Sequence, residues 1–206
     1  MRKTKEDTEI SKLRILLAAE EEFCRRGFTA ANMDAIAKVV GMTKGAIFWH
    51  FKSKSDLFKA VMKRAVERVK GIFQEAFSAQ NLNVIEKCRN VIKRVGKDKA
   101  FDVFMVLSDA GNVGGFPQDA LDEFSKEISE IFKDALKILE EAKARGELKP
   151  DTDVRDILAA LALFMSGFAK FKEQKSLFAP IGSHMGNDSV IDVIFKGLSS
   201  FQKKNK

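Results

Sequence analysis

Residues 41–54 read GMTKGAIFWHFKSK and place four ring side chains in a row, Phe48, Trp49, His50 and Phe51, among Lys44, Lys52 and Lys54. Four consecutive positions of a helix cover all of its faces, so the rings cannot all be core. A flat ring with one polar N–H can pack on a sugar and donate to a phosphate oxygen. Lysines add Coulomb attraction to a polyanion. The chain has one Trp and two His in 206 residues, so two of its rarest side chains stand adjacent here. Taken alone, Trp49 reads as an ordinary partly buried indole. Its neighbours change that reading.

Residues for other chemistry are scarce. His184 is the one histidine outside this segment, and no carboxylate pair, nucleophile motif or metal-ligand spacing occurs. Cys24 and Cys88 lie far apart without CxxC or Cys/His spacing, which predicts two reduced packing cysteines. No enzyme activity, metal or cofactor is expected. The longest apolar run falls well short of the roughly 20 residues of a membrane span, and the N-terminus MRKTKEDTEISK lacks a signal-type apolar stretch. The expected location is the cytoplasm, with no membrane partner.

Charge is unevenly placed. Residues 1–70 hold 16 Lys and Arg against 9 Asp and Glu, while the remaining residues hold 20 of each, so the whole net charge of +7 lies in the first third. That suits a basic module for a polyanion joined to a neutral body. On charge alone, a solvated basic face accounts for it equally well.

The elements that must position these groups read at helical period throughout. Ile10, Leu13, Leu16, Leu17, Ala19, Phe23 and Cys24 mark a first helix that Gly27 stops. Asn32 is a plausible N-cap for a short helix over 33–40, and Gly41 ends it. Thr43 can cap a third over 44–50. A long helix then starts at Ser53 or Ser55 and runs to about Ser78. Helical patterns also fit 82–95, 99–108, 118–145, 152–174 and 188–202. The fold class is all-α with about nine helices.

Three short helices in this order invite a helix-turn-helix. A steep crossing needs a small contact residue, which Ala37 supplies. Four positions later the chain must turn with positive φ, which Gly41 permits. Met42, Ile47 and Phe51 are spaced to anchor the second helix, leaving the outer face of residues 44–50 free for the DNA major groove.

Residues 10–60 resemble the DNA-binding domain of the TetR family of transcriptional repressors. The matching stretches are ILLAAEEEFCRRGF (15–28) and MDAIAKVVGMTKGAIFWHFKSKSDLF (33–58), above all GAIFWHFKSKSDL. The resemblance implies a homodimer, a small-molecule pocket in the C-terminal part and release of operator DNA on ligand binding. It implies phosphate-binding caps at Asn32 and Thr43, base-edge contacts at Lys44 and Gly45, and backbone contacts at Trp49, His50 and Lys54. Lys52 adds attraction. Phe48 stands where the family typically has Tyr, whose hydroxyl meets a phosphate. Residues 1–54 are expected to form the DNA-binding domain, and residues 55–206 a helical ligand-binding and dimerisation domain.

In that neutral body, Phe73, Phe101, Phe104, Met105, Phe164 and Phe168 could line an apolar pocket for a hydrophobic or aromatic effector. A packed core would explain any one of them equally. Asp102 and Asp109 could meet a cation there, or simply face solvent. ILAALALFMSGF (157–168) carries small residues that allow close helix approach, and VIDVIFKGLSSF (190–201) is too apolar for a surface helix. Two such helices from each of two subunits would form a four-helix bundle, and burial within one subunit is the competing reading. The expected function is a ligand-responsive repressor on a palindromic operator. The alternative is a DNA-binding protein of the same fold without a small-molecule effector, governed by a protein partner or acting architecturally.

Overall fold

The computed structural model describes residues 5–98, 101, 103, 116–173 and 188–202. Among them the chain is all-α: α1 Lys5–Ala30, α2 Met33–Val40, α3 Lys44–His50, α4 Lys54–Ser78, α5 Val84–Val95, α6 Gln118–Ala144, α7 Val154–Glu173 and α8 Asp188–Leu198, then a 3-10 turn at Ser199–Phe201. The expected helix over 99–108 falls almost wholly outside the described residues. α1 begins at Lys5 rather than Ile10. Its first turn holds Glu6 and Asp7, which suit a helix N-terminus by charge and leave no apolar period to read. Gly27 takes φ 70 and ψ 172, so the regular helix breaks where expected, and a further turn follows to Ala30.

The chain forms two compact units, Met1–Glu67 with Asp102–Lys126, and Arg68–Phe101 with Glu127–Lys206. In the first, Ile15, Ala19 and Phe23 of α1 are buried, as are Ile36, Ala37 and Val40 of α2, Ile47 of α3, and Leu57, Phe58 and Val61 of α4. An aromatic cluster fills the centre. The Phe58 ring meets Phe23 edge-on at 5.1 Å, Phe28 at 4.9 Å and Phe116 at 5.1 Å. Such pairs add about 0.5–1.5 kcal/mol each beyond the area they bury. Arg64 of α4 pairs with the buried Glu20 of α1 at 2.5 Å, and Lys59 pairs with Asp119.

In the second unit, α5 starts with a reciprocal cap. Asn83 Oδ1 accepts the Glu86 N–H at 3.0 Å, and Glu86 accepts the Asn83 N–H at 3.0 Å. Val84, Ile85, Cys88 and Ile92 then share one face, packed with Leu139 and Ala142 of α6, Val154, Ile157 and Leu161 of α7, and Ile191, Phe195 and Leu198 of α8. Burial pushes the Cys88 thiol up to about 12, so it is a packing residue without thiolate character. Between α6 and α7, Gly146 adopts φ 80, and the chain turns so that Leu148 drops into this core. Leu148 also bridges to Gln202, tying the end of the described chain to the turn. Among the described residues no helix is long and apolar enough to cross a membrane.

Candidate nucleic-acid interface

The α2–α3 pair is built from caps and a glycine. Asn32 is the N-cap of α2, its Oδ1 accepting the Asp34 N–H at 2.8 Å. Gly41 ends α2 in the left-handed region at φ 67, ψ 35, where a side chain would be strained. The following Met42 N–H returns to Ala37 O at 2.9 Å, closing the turn. Arg14 of α1 donates to Val40 O at 3.0 Å, placing a cation on the α2 C-terminus. Thr43 is the N-cap of α3, with Oγ1 accepting the Ala46 N–H at 3.2 Å.

α3 is anchored from beneath and open above. Ile47 is fully buried and Phe51 nearly so, while Met42 is half-buried. Thr43, Lys44, Gly45, Phe48 and Trp49 are exposed, and His50 is half-buried. The Trp49 and His50 rings meet edge to face at 4.8 Å, so these two rare side chains form one unit. Lys52 is exposed as well. The structure thus brings Thr43, Lys44, Gly45, Phe48 and Trp49 to the solvent side of one short helix, with Asn32 and Lys52 exposed at flanking positions.

Two of the sequence-derived cations are held inside the chain. Lys44 Nζ lies 3.0 Å from Asp34 Oδ2. Lys54 donates to Thr29 O at 3.0 Å and sits 5.0 Å above the Phe28 ring. Desolvation at that place lowers the Lys54 ammonium below the usual lysine range, and the charge of Glu22 offsets part of the effect.

Glu22 is a residue that the sequence reading passed over. Its side chain is buried, yet it accepts the Asn32 N–H at 3.1 Å and pairs with Arg25 at 2.5 Å and Arg26 at 3.3 Å. It therefore holds the N-cap of α2 from α1. Burial alone would raise this carboxyl. The Arg25 hydrogen bond, the Asn32 N–H and the two guanidinium charges more than offset that, and hold it below the usual carboxylate range. The i+3 and i+4 spacing to Arg25 and Arg26 was the available signal.

The Phe-rich set is only partly visible. Phe73 is half-buried and meets the Phe77 ring at a tilt, 4.5 Å between centroids, Phe101 is buried, and Phe164 packs at the edge of the second unit's core. Phe104, Met105, Asp102 and Asp109 lie outside the described residues, as does the side chain of Phe168. A cleft of about 260 Å³ in the second unit involves different residues, Asn83, Glu86 and Arg89 of the α5 region and Asp192, Phe195 and Lys196 of α8 among them. Arg89 there is already paired with Asp192 at 2.5 Å. Among the described residues no group of His, Cys, Asp and Glu could hold a metal ion.

Similarity to known proteins includes the α2–α3 segment. A family model described as bacterial regulatory proteins, tetR family, matches residues 15–61. The HTH-type transcriptional repressor BepR of Brucella suis biovar 1 (strain 1330) is 27% identical over 173 residues, covering 82% of this chain and 83% of BepR. The HTH-type transcriptional regulator AcrR of Shigella flexneri is 34% identical over 89 residues, 42% of this chain and 41% of AcrR. The fold matches that of Salmonella enterica GusR with a TM-score of 0.72 at 20% identity, covering 98% of both chains. The capped, glycine-turned α2–α3 pair lies inside the matched segment, so residues 15–61 carry a DNA-binding domain of the tetR type, and the relatives that match this chain are HTH-type transcriptional regulators.

Proposed function

We propose that this regulator is a repressor that binds a palindromic operator as a homodimer and is released by a small, mostly apolar effector. In this reading residues 1–54 are the DNA-binding domain, residues 55–206 hold the effector and the dimer contact, and the protein acts in the cytoplasm. The observation that carries it is α3, a seven-residue helix fixed by the fully buried Ile47 while Lys44, Gly45, Phe48 and Trp49 remain exposed. Such a helix can enter a major groove without disturbing its own anchor. Thr43, Trp49 and Lys52 then serve the phosphate backbone, and Lys44 and Gly45 lie nearest base edges. Phe48 sits among the backbone contacts as a ring without a donor.

Homodimerisation is supported by apolar side chains left open in the second unit. Leu163 of α7 and Val193 and Ile194 of α8 are exposed, and Ala159, Ala160, Ser166 and Gly167 are exposed on α7. Small residues beside large aliphatic ones permit close helix approach. An apolar effector is supported by Phe73, Phe101 and Phe164, and repression by the likeness to the repressor BepR.

The test is selection from random DNA followed by titration. An inverted repeat should emerge, because a two-fold dimer reads two-fold DNA. With roughly 6–10 phosphate contacts per dimer, affinity should fall on the order of 10³–10⁵ between about 50 and 200 mM salt. A single asymmetric site, or a nearly flat salt response, would overturn the reading.

A further inference from the structure

Lys44 is the first residue of α3 and the cation best placed for a base edge, yet it is not a free charge. Its Nζ lies 3.0 Å from Asp34 Oδ2, a partner ten positions earlier in the first turn of α2. Asp34 is held where it is. Its backbone N–H is bound by the Asn32 cap at 2.8 Å, and its charge lies at the favourable end of the α2 dipole. Both side chains of the pair are exposed, so the pair contributes little to folding. By contrast, Lys38 and Lys52 are exposed and have no side-chain partner among the described residues. The segment thus keeps some cations open and ties one to a carboxylate.

We propose that Asp34 is a specificity-determining residue, which keeps Lys44 off the phosphates and available to a base edge. This rests on the reading of α2 and α3 as a helix-turn-helix on duplex DNA. The physical reason is that attraction between a lysine and phosphate is the same on every sequence. A carboxylate in contact with Lys44 cancels most of the charge that a phosphate would feel. It also sets a negative charge of its own against any phosphate that approaches. A base edge carries no net charge, so the N7 and O6 acceptors of a guanine escape that repulsion. An ammonium has three donors, so Lys44 can keep Asp34 on one and give another to a base. Asp34 therefore acts through Lys44, as a positioning residue. Loss of its charge turns Lys44 into an ordinary phosphate ligand.

The test uses the full chain with Asp34→Asn, which keeps the shape and removes the charge. Wild type and variant are titrated over a range of salt against the duplex recovered by selection and a scrambled duplex of equal length. Scrambled DNA should be bound about 5–10 times more tightly by Asp34→Asn, and its log–log salt slope should steepen by about 0.9 per subunit. The selected duplex should gain less than about twofold, so the ratio between the two falls. On a Lys44→Gln background, Asp34→Asn should keep only the smaller gain that comes from removing a negative charge near phosphate, with little change in the salt slope. Asp34→Ser, which also suits a helix start, repeats the test if Asn lowers the melting temperature. An unchanged ratio and slope, or the same gain without Lys44, would overturn the proposal. A wild type that prefers no sequence at all would instead remove the helix-turn-helix reading beneath it.

Discussion

Among the helices that leave large apolar side chains in water, α3 and the α7 and α8 pair differ in their surroundings. On α3, Trp49 is 72% exposed, beside His50 and within five positions of Lys44, Lys52 and Lys54. On α7 and α8, Leu163 is 74% exposed and Val193 67%, with alanines, Ser166 and Gly167 nearby in sequence. A ring with a polar handle among cations suits a surface that is part sugar and part phosphate. Bare aliphatic groups beside small residues suit another helix. Exposure alone would not tell these faces apart. The neighbouring charge does.

The largest break in that comparison comes from the aliphatic face. Leu163→Arg with Val193→Arg should turn a dimer into a monomer at micromolar concentration, read by light scattering on a sizing column. Operator affinity should then fall on the order of 10²–10⁴, because the second half-site is no longer bound intramolecularly. Thermal stability of the first unit should hardly change, since neither residue belongs to it. A variant that stays dimeric with full affinity would place the dimer contact elsewhere.

A smaller effect is expected at Glu22, beneath the DNA-facing side. Glu22→Gln keeps an acceptor for the Asn32 N–H but loses the charge that gathers Arg25 and Arg26. The cost should be about 1–3 kcal/mol of unfolding free energy, measured by urea titration at neutral pH. The pH dependence has a definite sign. The folded carboxyl lies below its unfolded value, so its contribution is present above the ordinary glutamate range near 4.3 and is lost as the pH falls through the lower folded value. Wild type and Glu22→Gln should therefore converge in stability in acid. A constant gap across that range would mean that charge is not what Glu22 supplies.

What was legible beforehand follows the range of the interaction. Asn32, Gly41, Thr43 and Ile47 have their roles fixed within a few residues, by capping, by φ and by period, and a sequence displays such rules directly. The pairing of Lys44 with Asp34 and of Lys54 with Thr29 spans 10 and 25 positions between separate elements, and charge patterning carries no code for that. Lys54 shows the consequence. The resemblance implied a backbone contact there, and in the structure its ammonium meets Thr29 O and the Phe28 ring. The Phe-rich set shows the opposite limit. Phe73, Phe101 and Phe164 share a residue type but no period, so composition could name them without saying which of them meet.

The smallest expected effect sharpens the comparison at one ring. Phe48 is 37% exposed on the open side of α3, directly after the buried Ile47. It occupies the place where the family typically has Tyr, and the chain contains no Tyr at all. At that exposure the ring is within reach of solvent. In the proposed reading Thr43, Trp49 and Lys52 remain to position the helix, so docking should not depend on the missing hydroxyl. Phe48→Tyr adds a neutral donor for a charged phosphate acceptor, a bond that reaches about 1.5–3 kcal/mol at best and less where water competes. The expected gain is about 1 kcal/mol per subunit, or roughly fivefold per half-site. Because phosphate contacts position without reading sequence, selected and scrambled DNA should tighten by a similar factor. That separates Phe48→Tyr from Asp34→Asn, which should favour scrambled DNA alone. Titration of both variants on both duplexes decides it. If Phe48→Tyr binds no better than wild type, the ring faces away from the backbone and α3 lies on DNA at a different rotation.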